Sequence, residues 1–196
     1  VMPLRVHDTR RREKVDFSTM EPGRVKMYIC GVTVYDLCHL GHARCYLAFD
    51  LIHRWLEKSG YDVEYVQNFT DIDDKIINRA NETGSDWREL VEDNIATYYR
   101  DMDALNILRA DQYPRCTEYV EEMIAITADL IEKGNAYAAD DGVYFSVDSA
   151  PEKYGLLTGQ NIDAVRSGAG GRVDDTGATK RDHKDFALWK KAKPGE

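Results

Sequence analysis

The feature that most constrains the fold is an alternation of strand and helix patterns between residues 26 and 84. The run KMYICGV, residues 26–32, favours β structure, ends at Gly31 and is typical of a buried strand. The stretch DVEYVQNFT, residues 62–70, alternates enough to form a second strand. A helical pattern follows each strand. This strand–helix–strand–helix order predicts a parallel sheet with a right-handed crossover.

Three helices are predicted in this part of the chain. The first lies in HARCYLAFDLIHRWLEKSG, where Lys58 and Gly60 form a stop. Its apolar stripe consists of Ala48, Leu51, Ile52, Trp55 and Leu56. The second, DIDDKIINRANETG, ends at Gly84, and we interpret its acidic residues Asp71, Asp73 and Asp74 mainly as a helix start. The third is expected at about residues 86–105.

The chain changes character after Pro114. Thr117 is expected to cap a helix that Gly134 closes. The apolar stripe of this helix consists of Val120, Met123, Ile124, Thr127 and Ile131. The stretches AYAAD and GVYFSV, joined at residues 140–142, predict a β-hairpin. Residues 167–184 are rich in Gly, Asp and Arg, which predicts a mobile loop, and KDFALWKK is expected to re-enter a core.

Charge and cysteine content exclude several classes of protein. The net charge of −9 would repel nucleic acid overall, so any such contact must be local or must come from residues that this chain lacks. No apolar run approaches the roughly 20 residues that span a bilayer. The 4 cysteines do not resemble a disulfide framework, and no export signal opens the chain. We therefore expect reduced thiols, a cytoplasmic location and no membrane partner.

The stretch CGVTVYDLCHLGHARCY, residues 30–46, invites the interpretation of a local metal site. Its spacing does not support one, because structural zinc sites usually pair C-x2-C with a second distant pair. We expect Cys38 and Cys45 to contribute to packing. Cys30 lies at the carboxyl end of a predicted strand, and in parallel sheets this end faces the ligand crevice. A functional role for Cys30 and a role as a small buried hydrophobic residue are therefore equally open.

His39, Gly41 and His42 come just before the first predicted helix. A helix N-terminus attracts phosphate, and histidines there can donate hydrogen bonds to phosphoryl oxygens. A glycine between them lets a flat base or a phosphate approach the backbone. The alternative is a turn whose polar residues merely cap the helix.

The stretches MYICGVTVYDLCHLGHAR and YVQNFTDIDDKIINRA together closely resemble the cysteinyl-tRNA synthetases, a family of class I aminoacyl-tRNA synthetases. His39, Leu40, Gly41 and His42 match the class I signature. The stretches VHDTRRREKVDF, ALNILRADQYPRCTEYV and DFALWKK extend the similarity to nearly the whole chain.

The resemblance implies an α/β, class I Rossmann-type nucleotide-binding fold whose parallel sheet is incomplete in this chain. On this basis we expect the first half of the catalytic domain at residues 1–114. A connective insertion with a helix and a β-hairpin is expected at residues 115–185, and residues 186–196 are expected to start the return to the catalytic domain.

The resemblance also implies a reaction. Cysteine is activated with magnesium-bound ATP to cysteinyl-adenylate and is transferred to the 2′-hydroxyl of the terminal adenosine of tRNA(Cys). Cys30 matches one of four zinc ligands, of which the other three fall beyond Glu196; Cys38, Cys45 and His183 match none. Zinc that binds the substrate thiolate would discriminate cysteine from serine, whose hydroxyl coordinates weakly.

Further site residues follow from the same resemblance. Gly31, Thr33, His39, Gly41 and His42 are expected to bind ATP, the two histidines acting as the catalytic residues that stabilise the departing pyrophosphate. Gly41 would let the adenine lie against the backbone. Thr70 matches a position that helps to bind cysteine; it is also placed to be the N-cap of the second helix, with Asp73 at the third helical position.

Two alternatives stay open at the level of sequence. One is the related cysteine ligase of mycothiol biosynthesis, which joins cysteine to an amino sugar. The other is a non-catalytic module related to the synthetases that binds nucleotide or a partner protein. We favour the synthetase, as a monomer, and expect this chain alone neither to hold zinc tightly nor to aminoacylate tRNA at a normal rate.

Overall fold

The structure is a computed structural model that describes residues 4–159 and 179–192. In chain order its elements are β1 (Arg5–Asp8), β2 (Glu13–Asp16), β3 (Arg24–Ile29), α1 (Leu40–Lys58), β4 (Asp62–Gln67), α2 (Asp74–Thr83), α3 (Trp87–Ala104), α4 (Val120–Glu132), β5 (Ala136–Ala138), β6 (Gly142–Phe145) and β7 (Phe186–Lys190). None of the helices in the described ranges is long and apolar enough to cross a bilayer.

The described chain divides into two compact units. One unit is Ser18–Val120, and the other combines the described residues before and after it. This division differs from the expected boundaries at residues 1–114, 115–185 and 186–196, which stay a prediction about domains.

The first unit contains the predicted strand–helix–strand–helix order. Strands β3 and β4 pair in parallel, from Arg24 opposite Asp62 to Ile29 opposite Gln67, and α1 connects them. Parallel strands need a crossover of this kind because a short turn cannot return the chain to the same end of the sheet. The parallel sheet of an incomplete Rossmann-like α/β fold is therefore confirmed, and the handedness of its crossover stays a prediction.

An aromatic cluster fills the core beside β4. Phe69 is 1% exposed and contacts the rings of Tyr98 and Tyr99 edge-on, at centroid distances of 5.1 and 5.6 Å. Tyr113 stacks on the same ring at 5.2 Å. Phe69 also forms a parallel bridge with Arg115, so the segment that follows α3 lies along the free edge of β4.

The buried face of α1 differs from the predicted apolar stripe. Its buried residues are Tyr46, Asp50, His53 and Leu56, whereas Leu51 is 68% exposed and Trp55 is 57% exposed. Asp50 is buried because it accepts hydrogen bonds from the Leu108 backbone N–H at 2.9 Å and from Arg54 Nε at 2.8 Å. The helix is confirmed, but of its predicted stripe only Leu56 is buried.

Two predicted helix starts, those of α2 and α4, are wrong in detail. The N-cap of α2 is Asp73, whose side chain accepts from the Lys75 N–H, and not Thr70. Asp71 is buried and accepts from the Thr117 N–H at 3.0 Å and from its hydroxyl at 2.5 Å. Asp71 is therefore a tertiary anchor rather than part of a helix start, and Thr117 does not cap α4.

The second unit is built from antiparallel strands. β1 pairs with β2, and the predicted hairpin of β5 and β6 is confirmed and extended by β7. Asp185, just before β7, is buried and accepts from the Tyr137 hydroxyl at 2.7 Å and from the Val147 N–H at 3.0 Å. The expected re-entry of this segment is thus into the hairpin sheet. Helix α4 is confirmed but has no buried residue, and of the loop predicted at residues 167–184 only 179–184 are described.

Candidate functional site

The carboxyl ends of β3 and β4 are joined by backbone hydrogen bonds. The Thr70 N–H donates to the Val32 carbonyl at 3.0 Å, and the Val34 N–H donates to the Thr70 carbonyl at 3.2 Å. These bonds place Thr33 opposite Thr70 in a parallel bridge. Two residues that the sequence separates by more than thirty positions therefore meet at the edge where parallel sheets bind ligands.

Gly31 lies where the two strand ends approach most closely. A Cβ atom added there would lie 1.5 Å from the backbone oxygen of Asn68, which no side chain could tolerate without a backbone shift. The Gly31 N–H donates to Asn68 Oδ1 at 2.9 Å. The glycine is thus required for strand-end packing, whatever its contact with ATP.

Cys30 follows β3 directly and is exposed, so the alternative of a small buried hydrophobic residue is wrong. Its sulfur lies 3.7 Å from the Gly31 carbonyl oxygen, and its own carbonyl accepts from the Tyr46 hydroxyl at 3.5 Å. Within residues 4–159 and 179–192, no group of three His, Cys, Asp or Glu side chains could hold a metal. Cys30 is suited to supply one thiolate ligand, but the described residues do not assemble a zinc site by themselves.

His39 and His42 form the start of α1. His39 is the N-cap, and its Nδ1 accepts from the Gly41 N–H at 3.0 Å. His42 Nδ1 accepts from the His39 N–H at 3.2 Å, which completes a capping box. Because Nδ1 is an acceptor in both rings, each neutral imidazole carries its proton on Nε2. Helix capping and phosphate binding, weighed above as alternatives, are therefore compatible.

The two imidazoles stack with centroids 4.0 Å apart and an interplanar angle of 25°. A Cβ atom at Gly41 would lie 2.7 Å from His39 Cε1 and 2.9 Å from its Nδ1. The glycine therefore leaves room for the capping ring. This is a structural reason for Gly41 that the sequence did not indicate, and its expected contact with adenine stays a prediction.

Partial burial lowers the pKa of His42 below its usual value of 6.5, and the neighbouring His39 lowers it further. The neutral form of His42 is consequently favoured at pH 7. Its Nε2–H can donate a hydrogen bond to an anionic oxygen, and approaching negative charge would favour protonation of the ring.

Cys38 and Cys45 do not share the packing role predicted for both. Cys38 packs against the core, and burial raises the pKa of its thiol to about 11. Cys45 is exposed, so its predicted place in the core is wrong. It lies on the same side of α1 as Ala48, Ile52 and Trp55, which are also exposed, because the opposite side of the helix faces β4.

Sequence reasoning missed Asn68, Tyr28 and Cys116 at this edge. Asn68 Oδ1 accepts from the Tyr28 hydroxyl at 2.9 Å, and its Nδ2 lies 3.4 Å from Thr70 Oγ1. Burial raises the pKa of Cys116, while a hydrogen bond with the Thr70 side chain opposes that effect. For Asn68 the available signal was a polar side chain near the end of the predicted strand at residues 62–70, which at the carboxyl edge of a parallel sheet favours a role in the crevice.

Comparison with known proteins gives the context of this geometry. The family described as tRNA synthetases class I (C) catalytic domain matches residues 16–196. A cysteine–tRNA ligase of Cyanothece sp. is 51% identical over 195 residues, which are 100% of this chain and 39% of that relative. A cysteine–tRNA ligase of Pyrococcus furiosus is 52% identical over 193 residues, which are 98% of this chain and 40% of that relative. The chain thus spans about two fifths of the length of these relatives.

Solved structures of two other synthetases share the fold. Mycobacterium tuberculosis methionyl-tRNA synthetase in complex with methionyl-adenylate has a TM-score of 0.52 and 26% identity over 66% of this chain and 25% of that one. The ternary LeuRS–tRNA–LeuAMS complex of Agrobacterium radiobacter has a TM-score of 0.53 and 25% identity over 64% of this chain and 16% of that one. Since the family matches nearly the whole sequence, this chain belongs to the class I tRNA synthetases of the (C) catalytic-domain family.

Proposed function

We propose that this chain carries the part of a cysteine–tRNA ligase that binds ATP and cysteine. The complete polypeptide would activate cysteine to cysteinyl-adenylate with magnesium-bound ATP and transfer it to tRNA(Cys). The observation that carries the proposal is the identity of about one half, over the whole chain, to relatives of that name. We also propose a monomeric enzyme of the cytoplasm, where ATP and tRNA are available.

The start of α1 supports the proposed ATP contact. Each of His39 and His42 can present an Nε2–H at the N-terminus of α1, where the helix dipole also favours negative charge. Donors fixed in this way would stabilise charge that develops as pyrophosphate departs, because they need no reorganisation during the reaction. Gly31, Thr33 and Gly41 would complete the ATP contacts through their backbone.

The strand ends support the proposed cysteine contact. Thr70 is held at the carboxyl edge by two backbone hydrogen bonds, and the exposed Cys30 thiol lies at the end of the neighbouring strand. A zinc ion that took Cys30 as one ligand would supply selective coordination of a thiolate over a hydroxyl. Thr70 would orient the amino acid from the second strand.

ATP–pyrophosphate exchange by the complete natural polypeptide tests this function. Exchange should require cysteine, and serine should not replace it. His42→Ala should lower exchange by about 10²-fold, as expected when one donor to developing charge is lost. The matched control is His7→Ala, because His7 is exposed on β1 and is not one of the proposed site residues.

The acceptor distinguishes the synthetase from its alternatives. Transfer of labelled cysteine to tRNA(Cys) supports the proposal, whereas transfer to an amino sugar alone would assign the mycothiol-type ligase. Exchange that is absent, or that proceeds equally with serine, contradicts both enzymes and favours a binding module.

A further inference from the structure

The Asn68 side chain lies between the two strand ends and is hydrogen-bonded to both. Its Oδ1 accepts from the Gly31 N–H and from the Tyr28 hydroxyl, each at 2.9 Å. Its Nδ2 is 3.4 Å from Thr70 Oγ1. The two donors at Oδ1 fix the orientation of the amide, because a flipped side chain would turn N–H groups toward other donors.

This arrangement also orients Thr70. Because Asn68 Nδ2 donates to the Thr70 oxygen, the hydroxyl hydrogen must point to a different acceptor. Burial raises the pKa of the neighbouring Cys116 thiol, and hydrogen bonding with the side chains of Thr70 and Asn68 opposes that effect. A ligand atom that accepts a hydrogen bond, such as a carboxylate oxygen of an amino acid, would fit the same donor.

The other contact reaches the Cys30 side of the site. The Gly31 N–H belongs to the peptide group that joins Cys30 to Gly31, so its bond to Oδ1 fixes the plane of that peptide. One amide side chain therefore sets both the peptide next to the exposed thiol and the hydroxyl on the neighbouring strand.

The strand ends at this edge are also joined independently of the Asn68 side chain. The strand ends are already joined by the backbone bonds of Thr70 to Val32 and Val34. Asn68 is only partly buried, so water can replace its hydrogen bonds when the side chain is truncated. Two of its contacts, with the Gly31 N–H and with Thr70 Oγ1, are to residues of the candidate site.

We propose that Asn68 is a positioning residue that holds the Thr70 hydroxyl and the Cys30–Gly31 peptide in place for the cysteine substrate. The inference rests on the proposed function and deepens it. Asn68 acts through its neighbours, so its loss should weaken the binding of cysteine more than the binding of ATP.

The test uses cysteine-dependent ATP–pyrophosphate exchange by the complete natural polypeptide. Asn68→Ala should raise KM for cysteine about 10-fold and leave KM for ATP within about twofold, since about one hydrogen bond is lost. The matched control is Asn94→Ala. Asn94 Nδ2 also donates over a long sequence separation, to the Val34 carbonyl at 3.0 Å, and Val34 is not a proposed substrate residue. This control should leave KM for cysteine within about twofold.

A double-mutant cycle separates positioning from general weakening. In a Thr70→Val background Asn68 has no hydroxyl to hold, so Asn68→Ala should raise KM for cysteine by about threefold or less. An equal rise in both backgrounds, or a KM for cysteine that Asn68→Ala leaves within twofold of wild type, would overturn the inference. So would a loss of cysteine and ATP binding in parallel.

A second variant decides the matter if Asn68→Ala does not fold. Tyr28→Phe removes the hydroxyl that donates to Asn68 Oδ1. Because Tyr28 is 63% exposed, this variant should keep the stability of the protein. A rise of about threefold in KM for cysteine that disappears in Thr70→Val supports the inference, and an unchanged KM overturns it. Wild-type protein without cysteine-dependent exchange would instead refute the proposed function, so the two failures are distinguishable.

Discussion

Replacement of Gly31 by alanine should be among the most costly single changes in the first unit. The added Cβ atom would lie 1.5 Å from the Asn68 backbone oxygen, whereas ordinary contact begins near 3.4 Å, so the strand ends must separate by about 1.9 Å. That movement breaks the Gly31–Asn68 hydrogen bond and the bond from Thr70 to Val32. Two hydrogen bonds at about 1 kcal/mol each and overpacking of about 1–3 kcal/mol give a loss of about 3–5 kcal/mol.

The free energy of unfolding, measured by urea titration and far-ultraviolet circular dichroism, tests this magnitude. Gly23→Ala is the matched control, because Gly23 has a φ of 79° but no atom within 4 Å of an added Cβ. That substitution should cost only about 1–2 kcal/mol, the price of a left-handed backbone for alanine. If Gly31→Ala cost no more than Gly23→Ala, the close approach of the two strand ends would be refuted.

Three further predictions follow from the described contacts. His42 should titrate below pH 6.5 by NMR, and added ATP should raise the midpoint of this titration. Because the pKa of His42 is lower in the folded state, its contribution to stability is present above pH 6.5. That contribution is lost as the pH falls through the folded-state pKa. Alkylation at pH 8 should modify Cys45 quickly and Cys38 slowly, because Cys45 is exposed and burial raises the pKa of Cys38 to about 11. Asp71→Ala should cost about 2–3 kcal/mol in urea unfolding, because it leaves the two donors of Thr117 without their carboxylate.

Each of these has an outcome that contradicts it. A midpoint of His42 above 6.5 in the absence of ATP would mean that burial does not control its protonation. Equal alkylation rates at Cys38 and Cys45, read by peptide mass spectrometry, would mean that the two thiols share one environment. Asp62→Ala is the control for Asp71→Ala, because the Asp62 side chain is 84% exposed and should contribute less than about 0.5 kcal/mol. Equal losses from the two aspartate variants would contradict the tertiary role of Asp71.

Local patterns in the sequence were sufficient to predict the elements other than the strands β1, β2 and β7, but not the buried face of α1. The strand β4 and the helix α1 follow from alternation and from helical spacing, which depend on near neighbours in the chain. The buried face of α1 includes Asp50 and His53, which hydrophobicity alone would assign to solvent. Asp50 is buried because Leu108, far along the chain, supplies its hydrogen-bond donor, and no pattern within the helix reveals that partner.

The same limit applies to the candidate site. The motif around His39 and His42 is contiguous, so its place at a helix start could be predicted from the sequence. Asn68 could not, because its importance comes from Gly31, which lies 37 residues earlier and meets it only when the two strands pair. Thr70 was identified by family resemblance, while its predicted role as a cap was wrong because Asp73 performs it.

In each of the two stacked histidines at the start of α1, the two ring nitrogens have different roles: Nδ1 accepts a capping hydrogen bond, and Nε2 is left to donate to a ligand. Folding uses Nδ1 of both rings, and this selects the tautomer before any ligand arrives. An anion that reaches the helix start therefore meets donors whose protons are already in place, and association does not have to wait for a proton to move from one nitrogen to the other. The conformational entropy of these donors is lost once, when the chain folds, and not each time a ligand binds. The capping hydrogen bonds of α1 therefore contribute to the rate at which this site binds a ligand.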